Sequence, residues 1–406
     1  MESFALKNNI KVVFNKTGGV KVVAIRILTP VSVIAESLHN AGISYLTSKL
    51  MTHSTKKYSS QQLAKVVEDI GSELVGYADY DTAEISMSFL SQYFDKAIEI
   101  LSDVILNPEF DEKELSFEKQ NIIASLGSRK DSIGRTALDN FIKVFYEDAS
   151  YSNPILGSKE TILKITRNDL LQWHKYSYNA SNILISVAGN IDKDLVEESL
   201  EKHLSLIPSG KKFKKPVFSL RHLENIKKEI KGKFNQAYIH IGFPAPTLND
   251  RNCITVGVIS AVLGSKMTSR LFVELREKLG LAYEVNTMYP LRVEKSFFSI
   301  YIGLDKKNIE LTLKKIEEIL KDFCTIKISK QELENTKRYI KGIHSMSRQT
   351  VSKQTFYYGW LEIVGRGFKY EEQYLRDLDM VTSEDLIDVA NKMFSQNSVT
   401  IIVNPE

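Results

Sequence analysis

Cysteine is scarce in this chain. Cys253 and Cys324 are the only two in 406 residues, and they lie too far apart for a CxxC unit. A disulfide framework and a thiolate zinc site are therefore excluded, and a reducing compartment is expected. A dominant charge is also missing. The 54 Lys and Arg residues are mixed with 50 Asp and Glu for a net charge of +4, so no basic stripe can track a phosphate backbone. Nucleic acid is not an expected partner. No window approaches 18 uninterrupted apolar residues, and the opening MESFALKNNIKVVFNK lacks the basic and then apolar order of a leader, so a cytoplasmic protein free of membrane is expected. A phosphate-cradling GxxxxGK[ST] loop is absent, and so is a GxSxG elbow with a Ser, His and Asp grouping.

What is present is an ordinary globular composition, 43% hydrophobic and 26% charged, over more length than one hydrophobic core serves. The chain also repeats itself. Residues 165–187, ITRNDLLQWHKYSYNASNILISV, lie on 381–403, VTSEDLIDVANKMFSQNSVTIIV, at a constant offset of 216 without a gap. In each copy a Thr (Thr166, Thr382) precedes an Asp-Leu pair by three residues, which predicts an N-capped helix running through a polar turn into a buried strand. Upstream, ELSFEKQNI (114–122) matches ELENTKRYI (332–340) at an offset of 218. Two homologous halves follow, each opening with alternating strands such as KVVAIRILTPVSVIAE or AYIHIGFPAP and continuing through helices. The expected fold class is α+β, with helices against a mostly antiparallel sheet in each half. The expected division is 1–205, a linker at 206–230, and 231–406. Lys211, Lys212, Lys214 and Lys215 in that linker read as solvated charges rather than as a patch for an acidic partner.

The segments LGSKETILKITRNDLLQWHKYSYNASNILISVAGNID and LGSKMTSRLFVELREKLGLAYEV carry a resemblance to the pitrilysin/insulinase family of zinc metallopeptidases. That family includes the mitochondrial processing peptidases and the core subunits of the respiratory bc1 complex, and the likeness covers nearly the whole chain. Its signature is HxxEH on a helix. Positions i and i+4 share a helix face, so two imidazoles converge on one ion while the Glu between them faces the bound water. In GISYLTSKLM, counted from Gly42, those positions hold Tyr45, Ser48 and Lys49, and the third ligand of the family falls at Ser116. A phenol, two hydroxyls and an ammonium cannot replace that set, so no metal is expected in this chain. Elsewhere, His39, His53, His174, His203, His222, His240 and His344 show no i, i+4 pair and no Glu or Cys at ligand spacing. Ile43, Leu46, Leu50 and Met51 are then expected simply to pack on the sheet. Glu109 and Lys49 are two further charges near the vacated position; they read either as an ion pair in place of the cation or, preferably, as separate solvated groups.

The second half keeps a different part of the family pattern. Arg276 and Tyr283 in REKLGLAY have the spacing of the family's Arg/Tyr pair, which closes over a zinc site and polarises the scissile carbonyl. Taken alone they read as a helix-end charge and a strand aromatic. Before them, VLGSKMTSRLF has the single Gly264, expected to form a turn ahead of a helix starting near Thr268, where regulatory processing subunits carry a glycine-rich run. The resemblance implies a non-catalytic subunit that pairs with an HxxEH-bearing chain, lends it Arg276 and Tyr283, and helps enclose a peptide. Zinc would belong to that partner. The alternative is a scaffold or peptide-binding protein of the same fold with no part in proteolysis.

Overall fold

The structure, a computed structural model, describes residues 1–147, 150–216, 218 and 224–406; His222 and part of the expected linker lie outside the described residues. The first sheet consists of β1 (Glu2–Ala5), β2 (Lys11–Lys16), β3 (Val22–Thr29), β4 (Leu74–Ala78), β5 (Ala83–Leu90) and β6 (Leu184–Gly189), in the order β1-β2-β6-β3-β5-β4. The second consists of β7 (Ile226–Gly232), β8 (Ala237–Ala245), β9 (Ala282–Met288), β10 (Ser296–Leu304) and β11 (Val399–Pro405), in the order β7-β11-β8-β10-β9. With β1 set aside the two orders coincide. Each sheet has one parallel pair, β2 with β6 and β7 with β11, and is antiparallel elsewhere. The fold is α+β with two homologous halves, as the repeat predicts.

The capping pattern recurs with the repeat. Thr166 starts the helix Arg167–Ser177 and Thr382 the helix Ser383–Phe394, each in a capping box closed by Asp169 or Asp385. The Thr166 backbone N–H donates to the Asp169 carboxylate at 2.8 Å, and the Thr382 N–H donates to Asp385 at the same distance. Both helices lead into central strands, β6 and β11, whose side chains are almost all buried. A strand buried on both faces needs cover on both.

That cover explains the composition of the two compact units. The first unit is Met1–Leu126, Asn153–Pro216 and Met346–Glu371; the second is Gly127–Ser152, Val217–Ser345 and Glu372–Glu406. In the first, the helix Val351–Ile363 from late in the chain packs on β3 and β6, so that Tyr358 and Phe368 join Val13, Leu28 and Leu184 in one apolar cluster. In the second, the early helix Ile133–Tyr146 packs on β8 and β11. Its Phe141 ring lies 4.5 Å from the His240 ring and 4.9 Å from that of Phe297.

Candidate functional site

The helix Ile43–Met51 is set by its apolar face and by an acidic cap. Ile43, Leu46, Leu50 and Met51 are buried in the core of the first unit, as their spacing predicts. Gly42, with φ of 94°, leads in through a left-handed turn, and the Glu36 carboxylate accepts hydrogen bonds from the Gly42 N–H (3.0 Å) and the Ser44 N–H (2.9 Å). A carboxylate on a helix N-terminus is stabilised by those donors. Burial outweighs them and pushes the Glu36 carboxyl up to about 7.

On this helix Ser48 is completely buried, while Tyr45 and Lys49 are half-buried. The Ser48 hydroxyl lies 2.9 Å from that of Tyr178, and burial drives the Tyr178 phenol far above its ordinary range. The edge strand β4 comes against the same turn. A Cβ on Gly76 would fall 1.8 Å from the Ser48 carbonyl oxygen, so only glycine permits this approach.

The helix Glu112–Arg129 brings an acidic residue toward Tyr45, but at a different position from the one read in the sequence. Ser116 is exposed and does not join the cluster; Glu118, two residues on, is buried. Two helical steps turn the side chain by roughly 200°, which puts these residues on opposite faces. Burial raises the Tyr45 phenol, and the Glu118 charge raises it further. His53, just beyond the first helix, is lowered by burial against the opposing pull of Glu114 and Glu118, with Lys49 adding to the lowering. Glu114 accepts a hydrogen bond from the Ser54 hydroxyl at 2.5 Å.

The ion pair considered for Glu109 and Lys49 is not formed. Glu109 pairs with Arg167 at 3.1 Å, and the same guanidinium binds the Glu109 carbonyl at 2.8 Å. Among the described residues Lys49 has no ion-pair partner and no group of three or more His, Cys, Asp and Glu could hold a metal. Tyr45, Ser48 and Lys49 do not fit zinc: at neutral pH they offer one ammonium and two hydroxyl groups in place of two imidazoles and a carboxylate.

Arg276 and Tyr283 belong to the second unit. Arg276 is exposed on a π-helical segment, Phe272–Lys278, with its guanidinium 5.0 Å from the centre of the Phe272 ring. Tyr283 owes its direction to an irregularity in the sheet. Gly303 pairs with Glu284 and Leu304 with Ala282, so Tyr283 is the extra residue of a β-bulge on the edge strand β9. A bulge re-aims the side chain it carries. The Tyr283 ring lies over Gly303, where a Cβ would come within 2.3 Å of its Cζ, and the residue remains 41% exposed. Burial raises its phenol, as does the neighbouring Glu284, whose carboxylate also accepts from the Tyr238 hydroxyl at 3.3 Å. Glu284 shares a cleft with Arg276; Tyr283 stands beside it in sequence and above Gly303 in space. The bulge, Glu118 and Glu36 have no mark in the sequence that sets them apart from ordinary strand and helix residues.

Fold and helix together define a duplicated α+β protein, two sheets each packed with helices, with Tyr45, Ser48 and Lys49 on the helix Ile43–Met51. Two family models match the chain: "Insulinase (Peptidase family M16)" over residues 11–159 and "Peptidase M16 inactive domain" over 164–340, together most of its length. The chain belongs to the insulinase (peptidase M16) family. It is 28% identical to an uncharacterized zinc protease of Rickettsia felis, over 98% of this chain and 96% of that protein. It is 22% identical to the non-peptidase homolog YmxG of Helicobacter pylori, over 89% of this chain and 84% of that protein. The solved structure of a peptidase M16 inactive domain from Pseudomonas fluorescens shares the fold, with a TM-score of 0.93 at 20% identity over 100% of this chain and 98% of that one.

Proposed function

We propose that this chain is the non-catalytic subunit of a two-chain zinc peptidase of the processing-peptidase type. It presents Arg276 and Tyr283 to the HxxEH site of a separate partner and helps to enclose the peptide. The observation that carries the reading is the β-bulge at Tyr283. An extra residue on an edge strand is a local irregularity, and here it leaves an exposed phenol within reach of an incoming ligand, on the same unit as an exposed guanidinium. Among the described residues neither group has an ion-pair or hydrogen-bonding partner that would occupy it. The guanidinium suits a substrate carbonyl, and the phenol suits the oxyanion that forms as the carbonyl is attacked.

The helix Ile43–Met51 supports the same division of labour, because Tyr45, Ser48 and Lys49 cannot supply the ligands of the family's site. The name of the Helicobacter pylori relative, a non-peptidase homolog, agrees with a role without catalysis of its own. Among the described residues Cys253 and Cys324 are not joined in a disulfide, which accords with a cytoplasmic setting. Reconstitution tests the reading. This chain alone is expected to leave a quenched fluorescent peptide uncut, and addition of an HxxEH-bearing partner is expected to give cleavage. Tyr283→Phe is expected to lower turnover by about 10²-fold, as for other oxyanion donors. Full activity of the partner by itself, or unchanged turnover with both Tyr283→Phe and Arg276→Ala in an intact complex, overturns the shared site and leaves the scaffold.

A further inference from the structure

The second unit contains a cleft of about 450 Å³ lined by Lys266, Met267, Phe272, Arg276, Glu284 and Tyr339, among others. Its floor is fixed. The loop Gly264–Met267 follows the helix Cys253–Leu263, and hydrogen bonds tie it down on two sides: Ser265 to Ser260 and Thr287, and the Tyr339 hydroxyl to the Ser265 carbonyl at 3.1 Å. The Lys266 ammonium is held in place by neutral groups. It donates to the Thr336 hydroxyl oxygen at 2.8 Å, and its Nζ lies 5.9 Å from the centre of the Tyr339 ring. Thr336 spends its own proton on the Glu332 carbonyl. The neighbouring Glu332 carboxylate is already taken, because Nε and Nη2 of Arg270 donate to it at 3.1 and 2.9 Å. Burial lowers the Lys266 ammonium, with Glu332 opposing.

Two cations share this cleft, Lys266 fixed on its floor and Arg276 at its side, and among the described residues neither is in an ion pair. Glu284 is the acid among the residues named, and it is engaged by Tyr238. Around the cations stand apolar surfaces that a ligand side chain can cover: Met267, 76% exposed, and the faces of Phe272 and Tyr339. We infer that this cleft binds a peptide carboxylate flanked by an apolar side chain, with Lys266 as the anchoring cation and Arg276 as the second. The carboxylate is either the C-terminal one or that of an internal Asp or Glu, and Lys266 recognises the same group in both. The inference rests on the proposed peptide-handling role for its biology, but binding by this chain alone tests it separately from cleavage.

The experiment is equilibrium binding by fluorescence anisotropy, with this chain and rhodamine-labelled octapeptides that share an Ala-Leu-Phe ending. One has a free C-terminus, a second is amidated, a third is amidated with one internal Glu, and a fourth replaces that Glu with Gln. The two carboxylate-bearing probes are expected to bind roughly tenfold tighter than their neutral counterparts, the difference expected for one charge-assisted contact. Preference for the first probe identifies the C-terminus as the source; preference for the third identifies the side chain. Lys266→Met is expected to erase the difference and Lys266→Arg to retain part of it, with unchanged thermal melting as evidence of folding. Equal binding of charged and neutral peptides, or Lys266→Met binding like the parent, overturns the site. Loss of partner-dependent cleavage with peptide binding intact would instead strike the shared-site reading alone.

Discussion

Tyr283 rests on Gly303, the strand residue whose missing side chain leaves room for the phenol ring. Gly303→Ala brings a methyl group to 2.3 Å from the ring's Cζ, so the ring must move. Its far end is free to do so, and stability is expected to change by about 1 kcal/mol or less. Displacement of the ring in a crystal structure of the variant checks the geometry. In the reconstituted peptidase, Gly303→Ala is expected to act in the same direction as Tyr283→Phe with both hydroxyl and guanidinium still present.

The Ser48 and Tyr178 hydroxyls satisfy one another in the core of the first unit, 2.9 Å apart. Tyr178→Phe leaves the Ser48 hydroxyl buried and is expected to cost about 1–3 kcal/mol in urea unfolding. Adding Ser48→Ala should recover part of this loss. A coupling near zero in the double-mutant cycle would mean that the pair contributes nothing beyond its shape.

Glu36 makes stability depend on pH. Its folded value of about 7 lies above the ordinary 4.5, so between those values the folded chain binds more protons than the unfolded one. Stability from this group is full below about pH 4.5 and is lost as pH rises toward 7, by an amount on the order of 3 kcal/mol. Glu36→Gln is expected to remove this slope. The difference between parent and variant unfolding free energies, followed from pH 4.5 to 8, isolates it from other titrations.

Metal content is the plainest check on the altered helix. Purified chain is expected to hold well under one zinc, and Tyr45→Ala or Lys49→Ala should not change that amount, because neither side chain is a ligand. One zinc per chain by elemental analysis, surviving mild chelation, contradicts this.

A fragment of residues 1–210 lacks the helix Val351–Ile363, which covers β3 and β6. It is expected to bind an apolar dye and to aggregate, because Val13, Leu28 and Leu184 lose Tyr358 and Phe368. A synthetic peptide of residues 346–371 should bind the fragment and reduce dye fluorescence. A fragment that is monomeric and melts cooperatively without the peptide would show that this cover is dispensable.

Much of the architecture is legible in the chain because it is written twice. The Thr166 and Thr382 caps, the strands after them and the equal strand orders follow from periodicity and from a constant offset. The helix Ile43–Met51 is legible too, since the spacing of Ile43, Leu46, Leu50 and Met51 marks the face that packs in the core. Three features are not, each for its own reason. Helix phase separates Ser116 from Glu118, and a linear count does not carry phase. Arg167 reaches Glu109 across 58 residues, a tertiary fact. The bulge at Tyr283 is a property of a strand pair, and Ala-Tyr-Glu-Val gives no local sign of the mismatch with β10.

The two helices that cover the sheets have a consequence for how such a chain can arise. A polypeptide of half this length would own a sheet with one bare face and a helix suited to cover just such a face. It could satisfy neither alone, but two copies could satisfy each other. Joining the copies end to end turns an exchange between molecules into one within a molecule, and frees the two versions to diverge, as the extra strand β1 of the first sheet illustrates.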